Sequence, residues 1–202
     1  MSPAPIEFWF DLTSPYAYFA GLEVDALAAR HGRTVHWKPF LLGVIFKTTG
    51  SSPLTAQPLK GDYARRDWVR LARLAGVPFT LRDDFPLRTQ VPARMVLAVE
   101  AEAGIVTAGK VAKRLLDALF GEGADIANAE IAAALASGMG FDRSSLIAAS
   151  GDLHWREALQ RRCAEAVERG ICGSPWIVIG DEPFWGADRL EMAERWLTTG
   201  GW

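Results

Sequence analysis

The chain of 202 residues contains only two cysteines, Cys163 and Cys172. They form neither a Cys-x-x-Cys pair nor a Cys/His metal spacing, which argues against a disulfide framework and fits the reducing cytosol. The three histidines, His31, His36 and His154, also lack metal-ligand spacing. We therefore expect a cytoplasmic protein that holds no metal.

An excess of positive charge and long apolar runs are also missing. The 22 Lys and Arg residues are scattered among 24 Asp and Glu residues, for a formal net charge of −2, so nucleic acid is not an expected partner. No run approaches the ~18 apolar residues of a membrane span, and "MSPAPIEFWF" at the N-terminus does not resemble a signal peptide. We expect neither export nor membrane association.

Strand patterns are confined to the two ends of the chain. "IEFWF" (6–10) and "TVHWKPF" (34–40) flank a helical pattern that begins at Pro15. Because a helix connects them, these two strands should be parallel. "WIVIG" (176–180) and "PFWG" (183–186) are separated by a tight turn and precede the closing amphipathic helix "ADRLEMAERWLTTG".

The middle of the chain is predicted to be entirely helical. Five helices are indicated, at 60–75, 92–104, 107–120, 127–137 and 152–169, with turn residues between them. The order of strand, helix, strand, helical insert, strand, strand and helix is typical of thioredoxin folds. We therefore predict a thioredoxin-like domain from residues 1–55 and 171–202, with an inserted helical domain at 56–170.

The stretch "FDLTSPYAYF" (10–19) places Ser14 where a strand passes into a helix. Thioredoxin-like redox enzymes carry Cys-Pro-Tyr-Cys at such a turn, whereas this chain has Ser14-Pro15-Tyr16-Ala17, so a dithiol oxidoreductase is nearly excluded. Taken alone, Ser14 predicts a helix N-cap worth ~1 kcal/mol. A helix N-terminus also favours an anion, because it offers unpaired N–H groups and about half a positive charge.

Four segments together resemble one branch of the thioredoxin superfamily: "FDLTSPYAYFA", "KPFLLGVIFKTTG", "DDFPLRT" and "GICGSPWIVIGDEPFWGADRLE". The branch is the DsbA-like one, and within it the kappa-class glutathione transferases and 2-hydroxychromene-2-carboxylate isomerases, which carry Ser in place of the redox Cys. The resemblance extends from end to end of the chain. It implies an α/β thioredoxin-like fold with a large all-helical insertion, and glutathione as the cofactor.

The resemblance also implies a glutathione site. Ser14 is expected to donate to the glutathione thiolate, and Pro175 is expected to follow a cis bond, with the main chain of Ser174 pairing with the cysteinyl part. Asp188 and the N–H of Ala187 are expected to hold the γ-glutamyl group. Sequence alone would assign a trans bond in "GSPW" and would equally allow Asp188 to favour the dipole of the last helix.

The expected substrate site is less closely defined. Lys47, which follows an apolar loop ending in Phe46, is expected to face an anionic substrate or the glycyl carboxylate of glutathione; alone it would be a solvated loop lysine. The chain has Ser51 and Arg88 where the isomerases carry Asn, which leaves the substrate open. Large aromatic residues, more often found in cores, could in part wall an aromatic pocket: Trp9, Trp37, Phe46, Trp68, Phe85, Trp176 and Trp185.

The activity implied by the resemblance is the glutathione-dependent cis–trans isomerisation of an aromatic oxo acid in aromatic catabolism. In that family the thiolate adds reversibly to a conjugated alkene, and elimination follows rotation about the bond. Two alternatives remain open, a kappa-like transferase acting on another electrophile and a thioredoxin-fold binding module without turnover. The expected partner is a small aromatic acid or electrophile, and a homodimer is compatible with the resemblance.

Overall fold

The computed structural model describes residues 3–202, and within them four strands form one mixed sheet in the order β2-β1-β3-β4. Strands β1 (Ile6–Phe10) and β2 (Val35–Pro39) are parallel and are connected by helix α1 (Pro15–Arg30). Strand β3 (Trp176–Ile179) runs antiparallel to β1 and pairs with β4 (Glu182–Trp185) as a hairpin. The predicted parallel pair and the predicted hairpin are both confirmed.

The remaining helices lie mostly between β2 and β3. They are α2 (Leu42–Thr49), α3 (Lys60–Ala75), α4 (Gln90–Leu116), α5 (Ala129–Ser137), α6 (Arg143–Gly151), α7 (Leu153–Glu168) and, after β4, α8 (Leu190–Thr199). Helix α4 continues into a π-helical turn, Asp117–Gly121, and short 3₁₀ turns occupy Leu54–Ala56 and Ala187–Arg189. None of the helices in residues 3–202 is long and apolar enough to span a bilayer.

Two predictions about local structure were wrong. The apolar segment before Lys47 is helix α2, not a loop, and it ends at Gly50 in a left-handed conformation. Its β-branched residues have modest helix propensity, which hid the helical pattern. The region after Gly138 was assigned to turns, but α6 begins there because the Asp142 carboxylate accepts a hydrogen bond from the N–H of Ser145, at 2.7 Å.

The two helices predicted at 92–104 and 107–120 are parts of one element. Helix α4 is interrupted at Gly104, whose backbone (φ 81°, ψ 170°) is non-helical. Only glycine adopts such a conformation without strain. The glycine in the sequence therefore marks the correct position of the interruption, which is a kink and not a loop.

Successive residues of a strand point to opposite faces of the sheet, and the two faces pack against different hydrophobic cores. Phe8, Trp37 and Phe184 lie in the larger hydrophobic core, together with residues of α1, α4 and α8. Trp9 and Val178 lie in a second core that includes residues of α7. Helix α4 contacts β2 directly, so the helical part of the chain packs on the sheet. The division of the chain into a thioredoxin-like domain (1–55 and 171–202) and an inserted helical domain (56–170) stays a prediction.

Trp37 packs closely against two helices in the larger core. A Cβ built on Gly21 of α1 would lie 2.8 Å from its Cη2 atom, and one on Gly109 of α4 would lie 2.6 Å from its Cδ1 atom. The indole N–H donates to the carboxylate of Asp25 at 3.0 Å. Two glycines on opposite helices therefore create the space that the Trp37 ring fills.

Gly109→Ala should destabilise the protein, because the added methyl group cannot be placed without moving the buried Trp37 ring. Overpacking of this kind costs ~1–3 kcal/mol. Gly43→Ala in α2 is the matched control, since a Cβ there meets nothing within 4 Å, and it should stabilise by ~0.5–1 kcal/mol. Urea unfolding of the two variants and the wild type measures both effects; equal midpoints for Gly109→Ala and the wild type would contradict the expectation.

Candidate functional site

Ser14 lies at the turn between β1 and α1. It is the N-cap of α1, as predicted, and its Oγ accepts a hydrogen bond from the N–H of Ala17 at 3.2 Å. The backbone N–H of Ser14 donates to the carbonyl of Asp11 at 2.9 Å, and Ser14 is only 4% exposed. Pro15 has no N–H, so the N–H of Tyr16 is the first-turn donor that neither the cap nor the helix satisfies.

The loop before β3 lies directly beside Ser14. The Ser14 hydroxyl donates to the carbonyl of Ser174 at 2.9 Å, and the Ser174 hydroxyl accepts from the N–H of Asp11 at 2.9 Å. The Ser174–Pro175 bond is cis, which confirms that prediction. The carbonyl of Pro175 accepts from the N–H of Gly186 at 3.0 Å, which ties this loop to the end of β4.

The 3₁₀ turn Ala187–Arg189 contacts α1 and so reaches the same end of the fold. Asp188 lies in this turn, before α8 begins, and its carboxylate is largely exposed and pairs with Arg189 at 3.1 Å. Gly186 has a φ of 115°, and a Cβ there would lie 2.5 Å from an Asp188 oxygen. The close approach of this carboxylate to the backbone thus requires glycine.

A family profile described as a DSBA-like thioredoxin domain matches residues 5–198. The chain belongs to the DSBA-like thioredoxin family. The predicted thioredoxin-like fold with its helical insertion is thereby confirmed.

Relatives with two different activities resemble this DSBA-like chain over nearly its full length. A 2-hydroxychromene-2-carboxylate isomerase of Pseudomonas putida is 27% identical over 191 residues, covering 94% of this chain and 92% of that protein. Glutathione S-transferase kappa 2 of Caenorhabditis elegans is 26% identical over 205 residues, covering 95% and 91%. A solved 2-hydroxychromene-2-carboxylate isomerase structure superposes with a TM-score of 0.85 at 26% identity, covering 96% and 94%.

Sequence reasoning missed Asp11, which organises this end of the DSBA-like domain. One carboxylate oxygen accepts from the N–H of Thr13 at 3.0 Å and from the Thr89 hydroxyl at 2.7 Å, and the other accepts from the N–H of Leu42 at 2.7 Å. Complete burial raises the pKa of the Asp11 carboxyl, while these hydrogen bonds act in the opposite direction. The available signal was an acidic residue closing an apolar strand.

The predicted substrate residues lie on segments that begin near Asp11. Lys47 is exposed in the last turn of α2, about 7.5 Å along the helix from Leu42, and the neighbouring Phe46 is partly buried. Arg88 is exposed and immediately precedes Thr89. Within residues 3–202 neither cation forms a hydrogen bond with Ser14 or Ser174, so the structure brings their segments to the site without a direct contact.

Ser51, the remaining predicted substrate residue, is exposed just beyond α2. Its Oγ lies 3.5 Å from the side-chain amide nitrogen of Gln57, which also donates to the carbonyl of Ser52 at 2.6 Å. Ser51 is therefore held within its own loop.

Three of the seven aromatic residues predicted for the pocket are core residues. Trp9, Trp37 and Trp68 are each 1% exposed or less, so they cannot wall an open pocket. Their rings pack against other aromatic side chains, as most large aromatic residues do. Of the others, Phe46, Phe85 and Trp176 are partly buried, and Trp185 is 57% exposed.

The two cysteines do not form a redox pair. Both are free. Cys163 is buried in the second core, and Cys172 lies two residues before Ser174, in the loop that precedes β3. Burial raises the pKa of the Cys163 thiol to about 11, so it stays protonated near neutral pH. Among residues 3–202 no cluster of three His, Cys, Asp or Glu side chains could hold a metal ion.

Proposed function

We propose that the protein is a glutathione-dependent cis–trans isomerase of an aromatic oxo acid, of the 2-hydroxychromene-2-carboxylate type. One observation carries this proposal: the Ser14 hydroxyl occupies the N-terminus of α1, 2.9 Å from the carbonyl of Ser174, at the turn where related redox enzymes have sulfur. The isomerase and kappa transferase relatives at 26–27% identity support the same assignment.

The residues at this end of the fold suit glutathione. The Oγ of Thr13 is buried and has no hydrogen-bond partner in the described part of the chain, and the N–H of Tyr16 has no helical acceptor. An anion at the N-terminus of α1 would satisfy such donors and interact with the helix dipole. The exposed Asp188 carboxylate would pair with the ammonium of a γ-glutamyl group, with the Ala187 N–H beside it, and the main chain of Ser174 would pair with the cysteinyl part.

Glutathione, when bound, supplies the thiolate that adds reversibly to a conjugated alkene and leaves again, so that the net change is geometric. Ser14 would stabilise that thiolate: its O–H, which donates to the Ser174 carbonyl, would donate to sulfur instead, while its oxygen continues to accept from the N–H of Ala17. A hydrogen bond to a charged group is worth ~1.5–3 kcal/mol and a helix end ~0.3–1 kcal/mol. Together they would lower the pKa of the bound thiol by about one to three units from about 8.5.

The segments that begin near Asp11 and carry Lys47 and Arg88 would bind the substrate. Lys47 is a flexible cation that can pair with the substrate carboxylate, and Arg88 offers a second, planar cation for the same role. Phe46 supplies partly exposed apolar surface for an aromatic ring, with Ser51 one turn beyond it. Since Ser51 and Arg88 stand where the isomerases carry Asn, the ring substituents accepted here are expected to differ.

A kappa-like transferase is the second candidate. It is favoured by the C. elegans kappa relative at 26% identity and by Ser51 and Arg88, which change the substrate side while leaving Ser14, Ser174 and Asp188 unchanged. Product analysis separates the two activities. An isomerase returns free glutathione and the opposite geometric isomer, whereas a transferase leaves a thioether adduct whose mass includes glutathione.

Reduced glutathione should raise the Tm, whereas glutathione disulfide and zinc should not. A ligand that binds only the folded state stabilises it by mass action, by ~2.7 kcal/mol at a hundred times its Kd. For a chain of this size each kcal/mol raises the Tm by about 2–4 °C, so the expected shift is roughly 5–11 °C. Differential scanning fluorimetry measures it. An unchanged Tm at millimolar glutathione would exclude glutathione as the cofactor. A shift in Tm without any product would favour the alternative of a binding module without turnover.

A further inference from the structure

The buried carboxylate of Asp11 connects the Ser14 turn to two other parts of the chain. It holds the N–H of Thr13, one residue before Ser14, and the N–H of Leu42, the first residue of α2. It also accepts from Thr89, the N-cap residue of α4, whose hydroxyl bonds Asp11 and not its own helix. A single side chain, 2% exposed, therefore fixes the starts of three helices relative to one another.

Apart from the bond to Asp11, helix α2 is held by apolar packing on the second core. It is eight residues long, and Leu41 at its N-cap provides no side-chain hydrogen bond. Among the described residues of α2 only Ile45 is fully buried in that core, and the partly buried Leu42 and Val44 pack against it. Helices this short are marginal without tertiary contacts. The Asp11 side chain supplies the missing acceptor, because its oxygen binds the N–H of Leu42 at 2.7 Å.

We infer that Asp11 is a positioning residue that fixes α2, and with it Phe46 and Lys47, relative to Ser14. It acts through backbone N–H groups and contacts neither the sulfur nor the substrate. Its effect on catalysis rests on the proposed function, whereas its effect on α2 does not. The two parts of the inference can therefore be tested separately.

Asp11→Asn is the test of the structural part. However the amide is oriented, its NH₂ group faces the N–H of either Leu42 or Thr13, so at least one of these donors loses its acceptor. Hydrogen exchange followed by mass spectrometry should show about tenfold or faster exchange in peptides covering 40–50 or 11–19. Peptides from the second half of α4 should exchange as in the wild type, once any change in the rate of global unfolding is taken into account.

Two matched variants separate a local effect from general destabilisation. Thr89→Val removes one donor to Asp11 but leaves both backbone bonds, so the 40–50 peptide should be unchanged. Leu116→Ala, a buried core change in α4, should accelerate exchange everywhere in proportion to its loss of stability. If Asp11→Asn accelerates exchange uniformly along the chain, as Leu116→Ala does, Asp11 is not a positioning residue.

The wild-type protein offers a test that needs no variant. First-turn amides of a helix normally exchange freely because they lack intrahelical acceptors. The Leu42 amide, bonded to the Asp11 carboxylate, should be protected about tenfold or more relative to the Gly43 amide in exchange followed by NMR. An unprotected Leu42 amide overturns the inference even if Asp11→Asn fails to fold.

The kinetic consequence is a split between KM and kcat. With α2 loosened, Asp11→Asn should raise the KM for the aromatic acid about tenfold while kcat at saturation changes less, and Thr89→Ser should behave as wild type. Equal KM values for Asp11→Asn and wild type, alongside accelerated exchange in 40–50, would mean that α2 carries no substrate contact. A wild type that lacks turnover altogether leaves the exchange results to decide the structural part.

Discussion

Ser14→Ala is expected to raise the pKa of glutathione's bound thiol and to slow turnover by about tenfold to a hundredfold. The loss of a donor to a charged sulfur corresponds to ~1.5–3 kcal/mol. Glutathione affinity at low pH should be nearly unchanged, because the contacts proposed for Ser174, Ala187 and Asp188 lie elsewhere on the ligand. Ultraviolet titration of the thiolate in the two proteins measures the shift.

Because Ser14 is also the N-cap of α1, a second cap serves as the control. Asn128 caps α5 by accepting from the N–H groups of Glu130 and Ile131 at 2.9 and 3.3 Å. Asn128→Ala should cost the same ~1 kcal/mol of stability as a lost cap and leave the thiol titration unmoved. Superimposable titration curves for wild type and Ser14→Ala would show that Ser14 only caps α1 and does not stabilise the thiolate.

Trp37→Ala is expected to cause a large loss of stability. The ring is 1% exposed, stacks edge-on against Phe8 with centroids 4.6 Å apart, and fills the space between two glycines. Truncation of a buried Trp costs ~3–5 kcal/mol, which lowers the Tm of a protein this size by roughly 6–20 °C. Thermal unfolding followed by circular dichroism provides the measurement.

The comparison with an exposed tryptophan distinguishes core from pocket. Trp185 is 57% exposed, so Trp185→Ala should shift the Tm far less, even though its indole packs over Gly173. If Trp37→Ala kept the wild-type Tm and weakened only substrate binding, Trp37 would line a pocket after all. The burial of Trp9 and Trp68 leads us to expect that they, too, behave as core residues.

Local sequence patterns predicted most of the fold. Short runs of apolar, β-prone residues at 6–10 and 176–179 identified the strands, and Ser14 followed by Pro15 identified the start of α1. These signals succeed because strand propensity and helix capping depend on residues close together in the chain. Helix α2 was missed for the opposite reason, since its N-terminal cap is the carboxylate of Asp11, 31 residues earlier.

The sequence by itself determined the class of fold, the absence of a redox cysteine pair and the placement of a hydroxyl at a helix N-terminus, because each is a property of adjacent residues. Only the tertiary structure decided that Ser14 bonds the carbonyl of Ser174, 160 residues away, and that Trp37 belongs to the core. Such contacts depend on how the sheet and helices pack, and a side chain's polarity or size does not reveal which distant group it will meet.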